Sequence, residues 1–361
     1  MKILTVVGNR PQFIKAAAVS GPLRERHEEI LLHTGQHYDQ ALSEIFFNEL
    51  GLAQPDRQLG IAGGSNSSQT ARMLAALEPL LEELHPDALL VYGDTNSTLA
   101  GALAGAQRGV PVVHIEAGMR SFDRSMPEEL NRVLSDHISE LLLCSSQTAV
   151  SNLHAEAVPG RIELVGDVMV DVALRWQPLA LEQTEVAEQL GVHPHQYLLV
   201  TAHRAGNVDD PQRLTKLVEL LERLPGPIVL PLHPRTRERL LAAGLLERLR
   251  MIEGMHLTEP LGYAEFTALL CTARAMLTDS GGVQKEAYLA GVPCVTLRSS
   301  TEWVETVQAG WNTLVDLDAQ AALAALERKP PPQREALYGD GHAAERCVQA
   351  IQALDQGLVR A

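Results

Sequence analysis

The residues of this chain that could do chemistry are carboxylates, imidazoles and cations set at the ends of short apolar runs. The clearest stretch is Ala275-Met-Leu-Thr-Asp279-Ser280-Gly281-Gly282-Val-Gln-Lys-Glu286. An apolar run ends in Asp-Ser-Gly-Gly and a helical pattern starts at once. A helix start leaves backbone N–H groups without partners and carries partial positive charge, so it suits an anion. Ser280, Gly281 and Gly282 are small enough for a phosphate to approach the backbone closely. Glu286 follows in the first turns, where a carboxylate can accept bonds from a ribose diol. The pattern points to a phosphorylated nucleoside.

Similar clusters recur. Gly8-Asn9-Arg10-Pro11-Gln12 follows the first apolar run, with Lys15 one turn into the next helical pattern. Thr34-Gly35-Gln36-His37, Gly93-Asp94-Thr95, Glu116-Ala117-Gly118-Met119-Arg120, His203-Arg204, His233-Pro234-Arg235 and Arg298, with Thr301-Glu302 just beyond it, end later runs. Pro127 opens a helical segment with Glu128 and Glu129 in its first turn. Asp94, Glu116 and Glu128 would form an acid/base group whose mutual repulsion and burial spread their pKa values. Each cluster also has a plain structural reading. Asp94 reads equally as a turn residue capping a helix, Glu128 as part of a well-formed helix start, Glu302 as a cap or pairing partner, Arg10 as a loop-fixing surface residue and His233 as a satisfied loop histidine. Their joint placement carries the functional reading: cations and imidazoles in both halves, carboxylates added by the first. That combination suits a sugar nucleotide.

The elements that must position these residues follow from periodicity. Apolar runs at Ile3–Val7, Glu29–His33, Ala88–Tyr92, Val112–Ile115 and Leu141–Cys144 read as strands. A second set covers Tyr197–Thr201, Ile228–Leu232, Met276–Thr278, Cys294–Leu297 and Thr313–Val315. Amphipathic segments such as Ser67–Leu84 and Pro211–Arg223 lie between them. This alternation builds parallel sheets covered on both faces. The expected fold class is therefore α/β, with two doubly wound domains facing a central cleft. Ligands of such sheets bind outside the carboxyl ends of the strands, where the polar clusters fall. The boundary is expected just after Val165-Gly-Asp-Val168, and Pro330-Pro-Pro332 marks another break.

With 361 residues the chain is long enough for two cores. Its net charge of −15 argues against a nucleic-acid or membrane-surface partner. Cys144, Cys271, Cys294 and Cys347 show no metal-ligand spacing, and no disulfide, metal or other cofactor is expected. The first apolar run is too short for a signal peptide and is followed by Arg10-Pro11, so a cytoplasmic protein is expected.

Taken together the clusters resemble one family, the non-hydrolysing UDP-N-acetylglucosamine 2-epimerases. The match runs in family order through Arg10-Pro11, Lys15, Thr34-Gly-Gln-His37, Gly93-Asp94-Thr95, His114-x-Glu116-Ala-Gly-x-Arg120, Pro127-Glu128-Glu-x-Asn131-Arg132, His203-Arg204, His233-Pro234, Asp279-Ser-Gly-Gly-x-Gln-x-Glu286 and Thr301-Glu302. The resemblance implies two Rossmann-like domains of glycosyltransferase-B type, with the last helical segment, Ala343–Leu354, returning to the first. The domains would then comprise residues 1–168 plus 343–361, and 169–342. It implies UDP contacts from Arg10, His203, Phe266, Ser280, Gly281, Gly282 and Glu286, with Phe266 against the uracil. Lys15, Arg204, His233 and Arg298 would join the binding residues, and Asp94, Glu116, Glu128 and His203 would surround the sugar.

The implied reaction is C2 epimerisation of UDP-N-acetylglucosamine through loss and return of UDP, by a homodimer, in polysaccharide biosynthesis. A hydrolysing epimerase and a glycosyltransferase of the same fold are the alternatives. Gln12, Tyr38, Gly206, Lys285 and Trp303 depart from the better-known bacterial members. Tyr38 bears on a second, allosteric substrate site of some relatives. Trp303 replaces an arginine that assists UDP binding, for which Arg298 is a substitute.

Overall fold

A computed structural model describes residues 1–36, 51–182 and 185–358. His37 and Tyr38 lie outside the described residues. The chain divides into two compact units, residues 1–174 with 336–361, and residues 175–335.

The first unit is built on a parallel sheet of β1 (Lys2–Val7), β2 (Glu28–His33), β3 (Arg57–Gln58), β4 (Ala88–Tyr92), β5 (Val112–Ala117), β6 (Leu141–Cys144) and β7 (Arg161–Leu164), ordered 3-2-1-4-5-6-7. The central strands are buried along their length; β4, Ala-Leu-Leu-Val-Tyr, has no exposed residue. That is why they read as continuous apolar runs: helices cover both faces of a parallel sheet. One face packs Ile3, Leu31, Leu90 and Val113 against the helix Arg10–Arg24 and against Ala344, Cys347, Val348 and Ile351 of the helix Ala343–Leu358. The other packs Leu4, Val6, Leu89 and Val91 against Met73, Leu77 and Leu81 of the helix Asn66–Leu84.

The second unit repeats the plan with β8 (Leu198–Thr201), β9 (Ile228–Pro231), β10 (Met255–Thr258), β11 (Ala275–Thr278), β12 (Cys294–Thr296) and β13 (Asn312–Leu314), ordered 10-9-8-11-12-13. In both sheets the winding reverses after the third strand. The reversal lies between β1 and β4 in one and between β8 and β11 in the other. Loops leaving adjacent strands there run to opposite faces of the sheet, opening a crevice at the carboxyl edge.

Three strands escaped the sequence reading: β3, β7 and β10, each at a sheet edge. These three are short and have no buried residue, so no apolar run announces them. In β7, Arg161-Ile-Glu-Leu164, no residue is buried. The boundary also differs from the expected 168/169 and 342/343. The helix Val168–Leu181 stays with the first unit for two turns, because Asp171 accepts hydrogen bonds from the backbone N–H groups of Ala343 (3.1 Å) and Ala344 (2.9 Å). Among the described residues, no helix is long and apolar enough to cross a membrane.

Candidate functional site

At the carboxyl edge of the first sheet, Asn9 caps the helix that follows β1, accepting from the Gln12 backbone N–H. Pro11 sits in the first helical positions, as its fixed φ favours, and half-buried Arg10 opens the helix. Gln12 is buried, donating to the Tyr92 carbonyl at 2.8 Å and to Thr98 Oγ1 at 3.0 Å. A glutamate there could not donate to that carbonyl once ionised, so position 12 is a strut joining β1 to β4 in this chain. One turn on, Lys15 forms an ion pair with Glu116, and both side chains are nearly buried. Glu116 itself has φ +69° and lies where the β5–β6 register slips between Ile115 and Ala117. A bulge of this kind re-aims a side chain at the end of a strand. A non-glycine residue with positive φ costs of order 1–3 kcal/mol and persists only where its surroundings fix it.

Asp94 follows Gly93 at the end of β4. Its carboxylate accepts from Arg132 Nη2 at 2.5 Å, and its carbonyl accepts from Asn131 Nδ2 at 2.9 Å. The helix cap here is Thr95, whose side chain and that of Thr98 form the capping box of the helix Asn96–Gln107. The structure thus corrects the capping reading of Asp94 and leaves its carboxylate to an ion pair. Asn131 and Arg132 belong to the helix Pro127–His137, which also carries Glu128. Of the two successive carboxylates in its first turn, Glu129 is the buried one. It accepts from the backbone N–H of Ser121 and of Phe122 and from Arg132. Burial pushes its pKa up, but the bonds from Ser121 and Arg132 outweigh that and leave it below the usual value. Glu129 is therefore a fixed acceptor; Glu128, beside it in the same turn, is half-buried.

In the second unit the reversal point lies between the loops after β8 and β11. Asp279, fully buried, ties them together. It accepts from the backbone N–H of His203 (3.1 Å) and Arg204 (2.9 Å) and from Asn207 Nδ2 (3.1 Å). His203 stacks on His233 with centroids 5.2 Å apart. His233 Nδ1 caps the helix Pro234–Ala242 by accepting from the Arg235 N–H at 3.2 Å, so its proton sits on Nε2.

Ser280 is the N-cap of the helix Gly281–Ala290, yet its side chain makes no capping hydrogen bond. The first-turn amides are thus left to something other than the cap. The two glycines differ. A Cβ on Gly281 would lie 1.9 Å from Glu302 Oε1, whereas a Cβ on Gly282 would meet nothing within 4 Å. Glu302 pairs with Arg298 at 3.1 Å, both nearly buried. Lys285, also buried, holds its ammonium 4.2 Å over the Trp303 ring, so two of the positions that depart from the bacterial pattern face each other. Half-buried Glu286 lies on the same helix.

Phe266 is 5% exposed and belongs to the buried apolar cluster that also holds Tyr197, Leu199, Val229 and Leu269. The sequence reading also missed Asp279, Asn207, Asp136 and Arg132 as organisers of these loops. The usable signal was a polar residue in an otherwise apolar helix or strand end. Among the described residues, no group of His, Cys, Asp and Glu side chains is placed to hold a metal ion.

A family model described as UDP-N-acetylglucosamine 2-epimerase matches residues 23–352. The chain belongs to this family. A relative from Methanococcus maripaludis, named a UDP-N-acetylglucosamine 2-epimerase homolog, is 45% identical over 98% of this chain and all of its own. A Pseudomonas aeruginosa relative, named UDP-2,3-diacetamido-2,3-dideoxy-D-glucuronate 2-epimerase, is 46% identical over 98% of this chain and all of its own. The crystal structure of Methanocaldococcus jannaschii UDP-GlcNAc 2-epimerase in complex with UDP-GlcNAc and UDP superposes with a TM-score of 0.92 at 38% identity, covering 98% of this chain and all of that one. The chain is accordingly an epimerase with two Rossmann-like α/β units of glycosyltransferase-B type.

Proposed function

We propose that this epimerase inverts C2 of UDP-N-acetylglucosamine to give UDP-N-acetylmannosamine without hydrolysis. The observation that carries this reading is the pairing of Glu116 with Lys15 and of Asp94 with Arg132 at neighbouring strand ends. A proton-transferring carboxylate must be held in a fixed place, and a cation beside each holds it.

The C2 hydrogen of a glycoside is not acidic enough for direct removal. Loss of that proton is therefore coupled to departure of UDP from C1, leaving a 2-acetamidoglucal. UDP then adds back as a proton is delivered to the opposite face. Asp94, Glu116 and Glu128 are the proton-transferring groups. Arg10, His203, Arg204, His233, Arg298 and the amides at Ser280–Gly282 take the charge that develops on the leaving pyrophosphate. Glu286 takes the ribose hydroxyls. The protein acts in the cytoplasm as a homodimer.

A second substrate reading has its own support: the Pseudomonas aeruginosa relative is named for a UDP-sugar bearing a second acetamido group and a carboxylate. The test offers both UDP-sugars in D2O and follows products by NMR. Epimerised product carrying deuterium at C2 is expected from one of them, and the sugar preferred names the substrate. Unchanged material with both, or only free sugar and UDP, refutes the proposal.

A further inference from the structure

Behind the two strand ends that present Asp94 and Glu116 lies a buried ionic cluster that the mechanism does not use. His114, on β5, is fully buried. Its Nδ1 is 2.7 Å from Asp136 Oδ1 and its Nε2 is 2.7 Å from the Gly93 carbonyl oxygen. A carbonyl can only accept, so Nε2 carries a proton. Asp136 receives two further donors: it accepts from the Gly118 N–H at 3.1 Å and from Arg120 Nη1 at 2.7 Å, besides facing His114. Burial pushes the Asp136 pKa up, but His114 and Arg120 outweigh it and hold the carboxyl below its usual value. Both ring nitrogens of His114 therefore face acceptors. Arg120 also makes a bidentate pair with Glu156 at 2.8 Å, so Asp136 shares its buried site with a cation that is itself paired.

We propose that His114, held as an imidazolium by Asp136, is a positioning residue that fixes the Asp94 loop relative to Glu116. The geometry is direct. His114 clamps the carbonyl of Gly93, the residue before Asp94. Through the same carboxylate it is tied to the amide of Gly118, two residues after Glu116. Gly118 has φ +79°, and a Cβ there would lie 2.4 Å from the Ala149 carbonyl oxygen, so the segment Glu116–Gly118 has one conformation to adopt. Asn152 Nδ2 holds the Gly118 carbonyl at 2.9 Å on the other side. One buried charge pair thus sets the separation of two proton-transferring groups that touch it nowhere themselves. The inference rests on the proposed roles of Asp94 and Glu116.

Asp136→Asn separates charge from shape. The amide oxygen still accepts from Gly118 and Arg120, while the amide N–H donates to Nδ1, leaving a neutral ring that still donates to Gly93. The variant is expected to lower kcat by about tenfold or more with KM within about twofold, since misplacing a reacting group costs turnover before binding. Nitrogen-15 NMR at neutral pH is expected to show proton-bearing Nδ1 and Nε2 on His114 in the wild-type protein and Nε2 alone in the variant. A wild-type ring lacking the Nδ1 proton overturns the proposal, as does a folded Asp136→Asn enzyme with unchanged kcat. If Asp136→Asn fails to fold, His114→Gln, which keeps a donor towards Gly93 and none towards Asp136, must show the same split. Wild-type protein that turns over neither UDP-sugar refutes the proposed function, and the NMR signature is read independently of that result.

Discussion

The two glycines at the start of the helix Gly281–Ala290 make different predictions, and the difference tests where the pyrophosphate lies. A Cβ at 282 meets nothing within 4 Å. Replacing glycine by alanine in a helix removes backbone freedom from the unfolded chain and stabilises by about 0.5–1 kcal/mol. In a unit of this size that raises Tm by roughly 2–4 °C per kcal/mol. Gly282→Ala is therefore expected to melt no lower than wild type. If the open space is where phosphate oxygens approach the amides, the same methyl group stands in their way. A bound oxygen needs to lie about 3 Å from the amide nitrogen, and the methyl obstructs that approach. UDP affinity is expected to fall at least about tenfold, equivalent to about 1.4 kcal/mol. Gly281→Ala behaves otherwise. Its Cβ would lie 1.9 Å from Glu302 Oε1, so Glu302 must move and its 3.1 Å pair with Arg298 breaks. This variant loses both stability and UDP affinity, so it cannot isolate binding from folding. Isothermal titration with UDP and a thermal melt on each variant suffice. Wild-type UDP affinity in Gly282→Ala would show that the phosphates lie elsewhere and that this loop is only a strand-to-helix turn.

Three further outcomes follow from the same geometry. Asp94→Asn, Glu116→Gln and Glu128→Gln should each cut turnover by about a hundredfold or more while UDP titration changes little; an amide variant with near-normal kcat returns that residue to a structural role. Glu286→Gln should weaken UDP but not inorganic pyrophosphate, because its proposed partner is the ribose; equal weakening of both ligands would place it at the phosphates instead. Glu129 carries a lowered pKa in the folded protein, so its stabilisation is complete above its unfolded value of 4.5 and is lost as pH falls through the folded value. Between about pH 5 and 3 the Tm of Glu129→Gln should therefore fall less steeply than that of wild type, and parallel curves would remove the linkage.

The parts of this fold that were legible in the sequence are those where one force dominates. Central strands such as Ala88–Tyr92 are buried on both faces, so burial alone writes their pattern. The edge strands Arg161–Leu164 and Met255–Thr258 owe their place to hydrogen bonds along one side, which leave no mark on side-chain type. The site divides in the same way. Residues at strand ends stand out because a carboxylate or imidazole there interrupts an apolar run. Asp94, Glu116, His203 and Ser280 all sit at such ends in the structure. Phe266 had no such signal: an aromatic residue on a helix looks alike whether it serves a ligand or the core, and in the structure it is buried in an apolar cluster.

The organisers were less legible than the groups they organise. Asp136 and Asp279 are separated from the loops they tie together by up to 76 residues of chain, and their sequence neighbours do not reveal which loops those are. Their role comes from being buried acceptors with several donors. Asp279 joins the loops after β8 and β11, and Asp136 joins those after β4 and β5, the first of them through His114. Each sits at or beside the point where its sheet reverses winding. There two loops must be held at a fixed separation though no strand pairing runs between them. A buried carboxylate with several donors meets that need: it bridges the two, and the low dielectric around it makes each bond costly to break. By this argument, substitutions at Asp279 should disturb nucleotide affinity, and substitutions at Asp136 should disturb turnover, although neither residue is proposed to touch the substrate.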